Sequence, residues 1–154
     1  MVVESQAPRR LRAATEIAAS PAQVWRVVSD VRRTGEWSPE CVRVIPVRGW
    51  LLGVNRRQRV WWATLSRVVE HQPNRVISWV VKTNGAQWTY RLSPVEGGTR
   101  LEQTRETPGG VKRVAGWFTR SLLGGQAVHD EELEAGMASG LQRIKAIVEA
   151  QPQA

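Results

Sequence analysis

Residues 127–149, AVHDEELEAGMASGLQRIKAIVE, decide the fold. Their apolar side chains recur at helical spacing and form one stripe: Leu133, Met137, Leu141, Ile144 and Val148. Acidic residues crowd the first turns and basic residues lie toward the end, which complements the helix dipole. The pattern predicts a helix of roughly six turns, about 33 Å long. Such a helix must bury its stripe against another apolar surface.

Two glycines, Gly136 and Gly140, flank this stripe. A glycine costs about 1 kcal/mol relative to alanine in a helix interior. We therefore expect the helix to approach a neighbouring sheet closely at these positions.

Upstream of the helix, between residues 41 and 106, the pattern changes to an alternation with a period of two residues. The candidate strands are 41–47, 50–55, 59–69, 75–82, 87–93 and 99–106. Residues that tolerate turn dihedrals separate them, and such short links favour an antiparallel meander. An earlier alternating segment, 10–18, predicts a first strand.

Two short helices are predicted between the first strand and the meander. Ser20 is a suitable N-cap, and Pro21 fits the first helical position. Asp30 is the expected cap of a second helix that ends near Trp37, before the break at Pro39.

The order of elements predicts an α+β fold in which a curved seven-stranded antiparallel sheet grips the C-terminal helix. Two short helices follow the first strand. We expect a flexible N-terminal tail at 1–9, one domain at 10–150 and a C-terminal tail at 151–154. A sheet curled around one helix rarely closes completely, so an apolar cavity open at one end is expected between them.

Five segments together resemble the polyketide cyclase/dehydrase-like proteins of the START-like (SRPBCC, Bet v 1-like) superfamily. They are IAASPAQVW at 17–25, WSPEC at 37–41, GVNRR at 53–57, WTYR at 88–91 and GGTRL at 97–101. The resemblance runs from about residue 11 to 149. It implies the helix-grip fold and a cavity for a hydrophobic ligand. It does not imply one reaction, because this fold hosts cyclases, hydrolases, lipid carriers and ligand sensors.

Strand alternation predicts which side chains line the cavity. The strand residues expected to face it combine apolar rings with a few polar groups: Asn55, Trp62, Thr64, Ser66, Trp79, Trp88, Tyr90, Gln103 and Arg105. Trp37 is expected near the mouth, and Trp117, Met137 and Leu141 complete the predicted lining. A concave, mostly apolar surface with a few placed polar groups is typical of a ligand site. The same residues could instead pack an ordinary core.

Tyr90, Arg105 and Glu40 are the candidates for acid–base chemistry, if the protein is a cyclase or aromatase. For Glu40 we favour a structural role, paired with an arginine or with Asn55. Arg105 would need a partner if it is buried. Glu40, the rim near Glu102 or an acidic ligand headgroup would serve, or Arg105 emerges at the strand end and is solvated. The sequence leaves open whether the protein is an enzyme or a binder of a lipid or polyketide-like compound.

No cofactor or metal site is expected. His71 and His129 have no partner at the spacing of a triad or a metal site, and Cys41 is the single cysteine. A lone, buried thiol and a polar N-terminus without a signal-like apolar core favour a cytoplasmic protein.

The net charge of +8 comes almost entirely from arginine. The arginines are scattered along the sequence rather than gathered on one periodic face, so a nucleic-acid partner is not expected. Segment 111–123 is apolar and basic. We favour a lid packed over the cavity mouth, and the alternative is weak peripheral contact with an anionic membrane. Oligomeric state is not predicted.

Overall fold

The structure, a computed structural model, describes residues 9–108 and 126–152. Its elements in chain order are β1 (Arg9–Ile17), α1 (Pro21–Val28), a 3₁₀ helix (Val31–Glu36), β2 (Cys41–Val47), β3 (Trp50–Arg57), β4 (Val60–Gln72), β5 (Val76–Val81), β6 (Gln87–Val95), β7 (Gly98–Thr107) and α2 (Gln126–Glu149). The predicted tails, apart from Arg9 and residues 151–152, lie outside the described residues, as does segment 111–123.

The seven strands form one antiparallel sheet in the order β1-β7-β6-β5-β4-β3-β2. Consecutive strands from β2 to β7 pair with one another, and β1 closes on β7, so the predicted meander and fold class are confirmed. The β2–β3 link shows why short turns suffice. Arg48 and Gly49 both have positive φ, 48° and 84°, which is the backbone that a two-residue hairpin turn requires.

Side-chain caps start the two short helices at the residues that the sequence predicted. The Ser20 side chain accepts from the Gln23 backbone N–H, and the Gln23 side chain accepts from the Ser20 backbone N–H, which forms a capping box before Pro21. Asp30 caps the 3₁₀ helix by accepting from the backbone N–H of Arg32. These caps set the angle at which the chain returns to the sheet at β2.

Helix α2 buries four of the five residues of its predicted stripe: Met137, Leu141, Ile144 and Val148. The expectation that its glycines meet the sheet is wrong. A Cβ at Gly140 would lie 3.2 Å from the Trp37 carbonyl oxygen, and one at Gly136 would lie 3.2 Å from Pro39 Cγ. Because they lack side chains, the two glycines leave room for the segment that follows the 3₁₀ helix. This segment passes between α2 and the sheet.

The core lies over one side of the sheet. Strands β1, β6 and β7, here called the closed half, contribute Ile17, Leu92 and Leu101, which pack against α1, α2 and Trp37. Strands β2, β3 and β4 form the open half. Their only buried residues are Gly53, Asn55 and Ser66. The closed half therefore carries the packed hydrophobic core, whereas the fully buried residues of the open half are small or polar.

Candidate ligand-binding site

The register of the sheet brings the predicted lining residues of the strands to one face. Tyr90 pairs with Ile77 on one side and with Gln103 on the other, and Trp79 pairs with Trp88. On the open half, Thr64 pairs with Gly53 and Asn55 pairs with Trp62. This face is the concave one, since Tyr90 contacts Trp37 beneath α2. That these residues bind a ligand stays a prediction.

A buried hydrogen-bonded cluster lies at the centre of the concave face. Trp37 Nε1 donates to the Tyr90 hydroxyl at 3.1 Å, and Gln103 Nε2 lies 3.3 Å from the same oxygen. The Trp79 ring packs at 5.7 Å from the Tyr90 ring. Burial raises the pKa of Tyr90, although the Trp37 hydrogen bond partly opposes this. Tyr90 therefore stays a neutral phenol and can donate a hydrogen bond, but it cannot serve as a base.

On the concave face of the open half, the fully buried side chains are small or polar. Asn55 Nδ2 donates to Thr64 Oγ1 at 3.2 Å and to the Gly53 carbonyl at 3.4 Å. Gly53 leaves room for this contact, because a Cβ there would lie 2.5 Å from Thr64 Oγ1. Ser66 is only 6% exposed. Within the described chain, its hydroxyl has no hydrogen-bonding partner.

Two oppositely charged side chains, Glu40 and Arg105, lie beside this polar surface. Burial raises the pKa of Glu40, and the positive charges of Arg57 and Arg105 partly oppose this. Burial lowers the pKa of Arg105, and the charges of Asp130 and Glu40 partly oppose this. Each group thus feels the field of the other. No ion pair joins the two side chains within 4.0 Å.

The neighbours of this charge pair already have partners. Arg57 forms an ion pair with Glu132, and Arg9 forms one with Asp130. Arg105 instead places its guanidinium 5.5 Å from the centre of the Trp88 ring. Sequence reasoning missed Arg57 and Asp130, because only the folded chain brings β1, β3 and α2 to the Arg105 end of β7.

The preferred structural pairing of Glu40 takes no hydrogen-bonded form in the described chain, although Arg57 and Arg105 act on its carboxylate electrostatically. Among the described residues its carboxylate accepts no hydrogen bond, from Asn55 or from an arginine. It is the Glu40 backbone carbonyl that accepts from the Arg56 N–H, at 2.8 Å. The Glu102 rim is excluded as a partner of Arg105, since Glu102 pairs with Arg12 on the opposite face.

The remaining predicted residues are placed as follows. Met137 and Leu141 are buried beneath the concave face, as expected. Trp62 shares that face but lies at the end of β4, where it is 36% exposed. Cys41 is half-buried, and burial raises the pKa of its thiol. Trp117 lies outside the described residues.

An open groove of about 460 Å³ borders the corner between the 3₁₀ helix and β2. It is lined by Gly35, Ser38, Pro39, Glu40, Cys41, Val42, Arg56 and Gln58. Its volume is within the range of small-molecule sites. Of the predicted site residues only Glu40 lines it, so this groove differs from the predicted cavity beneath α2, which stays a prediction.

Within residues 9–108 and 126–152, no group of three or more His, Cys, Asp or Glu side chains is placed to hold a metal ion. No helix in the same ranges is long and apolar enough to cross a bilayer.

The fold and the polar concave face together define a helix-grip protein of the SRPBCC class, and the predicted resemblance is confirmed. The chain belongs to the family described as polyketide cyclase/dehydrase and lipid transport, whose model matches residues 8–149. No functionally curated protein matches the sequence at a significant level.

Solved structures with the same fold include proteins named as cyclases. A polyketide cyclase-like protein from Corynebacterium glutamicum is 28% identical over 92% of this chain and 89% of its own, with a TM-score of 0.56. The Zhui aromatase/cyclase from a Streptomyces species is 18% identical, covering 96% and 97% of the two chains, with a TM-score of 0.69. The di-domain ARO/CYC BexL is 17% identical over 98% of this chain and 53% of its own, with a TM-score of 0.72.

Proposed function

We propose that the protein binds a hydrophobic small molecule, a lipid or a polyketide-like compound, between the concave face of the open half and α2. The apolar body of the ligand would lie over β3 and β4. Its polar end would point toward Arg105.

The observation that carries this proposal is the composition of the open half. Three strands of an ordinary core sheet would bury several large aliphatic side chains, but here the buried residues are Gly53, Asn55 and Ser66. We infer from this composition that side chains leave volume unfilled over the open half, which an apolar ligand would occupy.

Arg105 supplies the polar contact. Its guanidinium is half-buried, lies over Trp88 and forms no ion pair with a carboxylate of the described residues. A desolvated guanidinium is a strong donor to a carboxylate or carbonyl oxygen. Glu40, on the other side of the same region, would favour the ligand's hydroxyl groups.

The test is fluorescence titration with cis-parinaric acid and with its methyl ester. We expect the native protein to bind both probes and the acid more tightly. Replacing Arg105→Gln removes a charged hydrogen bond of about 1.5–3 kcal/mol, so affinity for the acid should fall roughly 10- to 150-fold. Affinity for the ester should change little.

The matched control is Arg91→Gln, which removes the same charge from an exposed position on β6. It should leave binding of both probes unchanged. Failure of the native protein to bind either probe, together with the absence of any bound compound in a native mass spectrum, would refute the proposal.

A cyclase or aromatase-type activity is the second candidate, and the environments of Glu40 and Tyr90 favour it. A carboxyl with a raised pKa can transfer protons nearer neutrality, and a neutral phenol can polarise a ligand carbonyl. Once a substrate is identified, Tyr90→Phe and Arg105→Met should each lower turnover. Unchanged turnover in both variants would leave binding as the sole function.

A further inference from the structure

The net charge of the protein is confined to one stretch of chain. Residues 41–95, from β2 through β6, contain nine arginine and lysine residues and one acidic residue, Glu70. The rest of the chain contains thirteen basic and thirteen acidic residues and is neutral. The whole excess of +8 thus belongs to the open half and the two strands next to it.

The fold gathers part of this excess on the convex face, opposite the ligand site. The register places these side chains together there: Arg43, Ile45, Val47, Trp50, Leu52, Val54, Arg56, Trp61, Leu65, Arg67 and Lys82. We call this set the basic apolar face. Although the arginines are scattered along the sequence, the fold brings Arg43, Arg56 and Arg67 to one side of the sheet, because alternate residues of adjacent strands meet there.

Three of the four cations of the basic apolar face contact tryptophan rings. Arg56 lies 5.2 Å from the centre of the Trp61 ring. Arg67 and Lys82 lie 5.8 and 5.4 Å from that of Trp50. In the ranges the structure describes, no carboxylate pairs with any of these three cations. Their charge is therefore uncompensated.

Two apolar members of this face are unusually accessible. Trp61 is 55% exposed and Val47 is 44% exposed. The other apolar members of this face are partly buried. A contiguous apolar patch with a charged rim marks an interaction site.

We infer that the basic apolar face docks the protein onto an anionic lipid surface. Tryptophan favours the membrane interface, arginine can lay its stem on apolar surface while its head meets a phosphate, and each cation is attracted to an anionic leaflet. A second copy of this chain fits less well, because a two-fold pairing would set the same cations against each other. Single-stranded nucleic acid also fits less well, since most of the apolar members are aliphatic and offer bases no stacking surface.

The test is cosedimentation of the full chain with vesicles. The native protein should bind vesicles of phosphatidylcholine and phosphatidylglycerol in equal parts, should bind pure phosphatidylcholine weakly, and should be released by high salt. Replacing Arg67→Gln and Lys82→Gln together should weaken binding on the order of 25-fold, from about fivefold per charge. Trp61→Ser should also weaken it.

The matched control is the double variant Arg10→Gln and Arg12→Gln, which removes two positive charges from the closed-half end of the convex face. These arginines pair with Glu106 and Glu102, so this variant should retain vesicle binding within about twofold. Thermal unfolding of each variant separates a folding defect from a binding defect.

Three results would overturn the inference. One is an absence of binding by the native protein to the mixed vesicles. Another is equal weakening by the two double variants, which would indicate net charge alone. The third is that the native protein does not bind vesicles but binds a single-stranded oligonucleotide tightly, or forms a dimer in which Trp61 is shielded from a soluble quencher. Since parinaric acid binding reports the concave site, failure here leaves the proposed function standing.

Discussion

The closed and open halves of the sheet differ on both of their faces. On its concave face the closed half buries Ile17, Leu92 and Leu101 against the helices, whereas the open half buries Gly53, Asn55 and Ser66. On the convex face, the closed half joins its charges in cross-strand ion pairs, and the open half stacks its cations on tryptophan.

The difference separates stability from function within one continuous sheet. Hydrophobic burial in the closed half supplies the favourable free energy of folding. The open half is held by backbone hydrogen bonds between its strands, and it is continuous with the strands that carry the core. Its side chains can therefore contribute to binding on either face. This division predicts that equivalent substitutions will have unequal effects in the two halves.

The largest expected effect is that of Leu101→Ala. Leu101 is fully buried, and truncation of such a leucine costs about 2–5 kcal/mol. Leu51→Ala, on the concave face of the open half, should cost less than half as much, because Leu51 is only half-buried. Urea unfolding of both variants measures the contrast. Equal losses would mean that the open half is packed as tightly as the closed half.

Tyr90→Phe tests the buried cluster on β6, beside the strand that separates the two halves. Removal of the hydroxyl leaves Trp37 Nε1 and Gln103 Nε2 without their shared acceptor, and an unsatisfied buried polar group costs about 1–3 kcal/mol. We expect a corresponding loss in the free energy of unfolding. A stability equal to that of the native protein would show that these donors have another partner.

Glu40→Gln should change stability in a pH-dependent way. Because burial raises the pKa of Glu40 in the folded state, the stability that the protonated form contributes is present at low pH and is lost as pH rises through that pKa. Glutamine does not ionise, so the variant does not lose this stability as the pH rises. Its melting temperature relative to the native protein should therefore be higher at pH 7 than at pH 4.

Glu36→Gln is the matched control, and its relative stability is expected to change with pH in the opposite direction. Arg33 lowers the pKa of Glu36, so its contribution is present at neutral pH and is lost on acidification. This variant should be relatively less stable at pH 7 than at pH 4. The same pH trend in both variants would contradict the assigned environments.

Much of the fold could be predicted from local patterns. The caps at Ser20 and Asp30, the alternation in β2 to β7 and the stripe on α2 are local signals, and each determined an element. Alternation also gave the correct face for Tyr90, Gln103 and Arg105, because side-chain direction in a strand depends only on parity.

Contacts between distant segments could not be predicted in this way. The environment of the Glu40 carboxylate and the approach of Gly140 to Trp37 depend on how the 3₁₀ corner sits under α2. Likewise, the basic face becomes visible only when the register brings Arg67 and Lys82 to the same tryptophan. The spacing of residues along the sequence does not indicate which of them become cross-strand neighbours.

Substitution of Ser66→Leu shows whether unfilled volume lies over the concave face of the open half. Ser66 is buried at the middle of that face. Ser78→Leu is the control, since Ser78 is buried on the opposite face, where its hydroxyl donates to the Trp88 carbonyl at 3.0 Å.

The measurement is the melting temperature of each variant together with its affinity for cis-parinaric acid. If the volume exists, Ser66→Leu keeps the native melting temperature and loses probe binding, while Ser78→Leu melts at a lower temperature. If the open half is already filled, the added side chain overpacks it at a cost of about 1–3 kcal/mol. A large fall in the melting temperature of Ser66→Leu, similar to that of Ser78→Leu, would contradict the account.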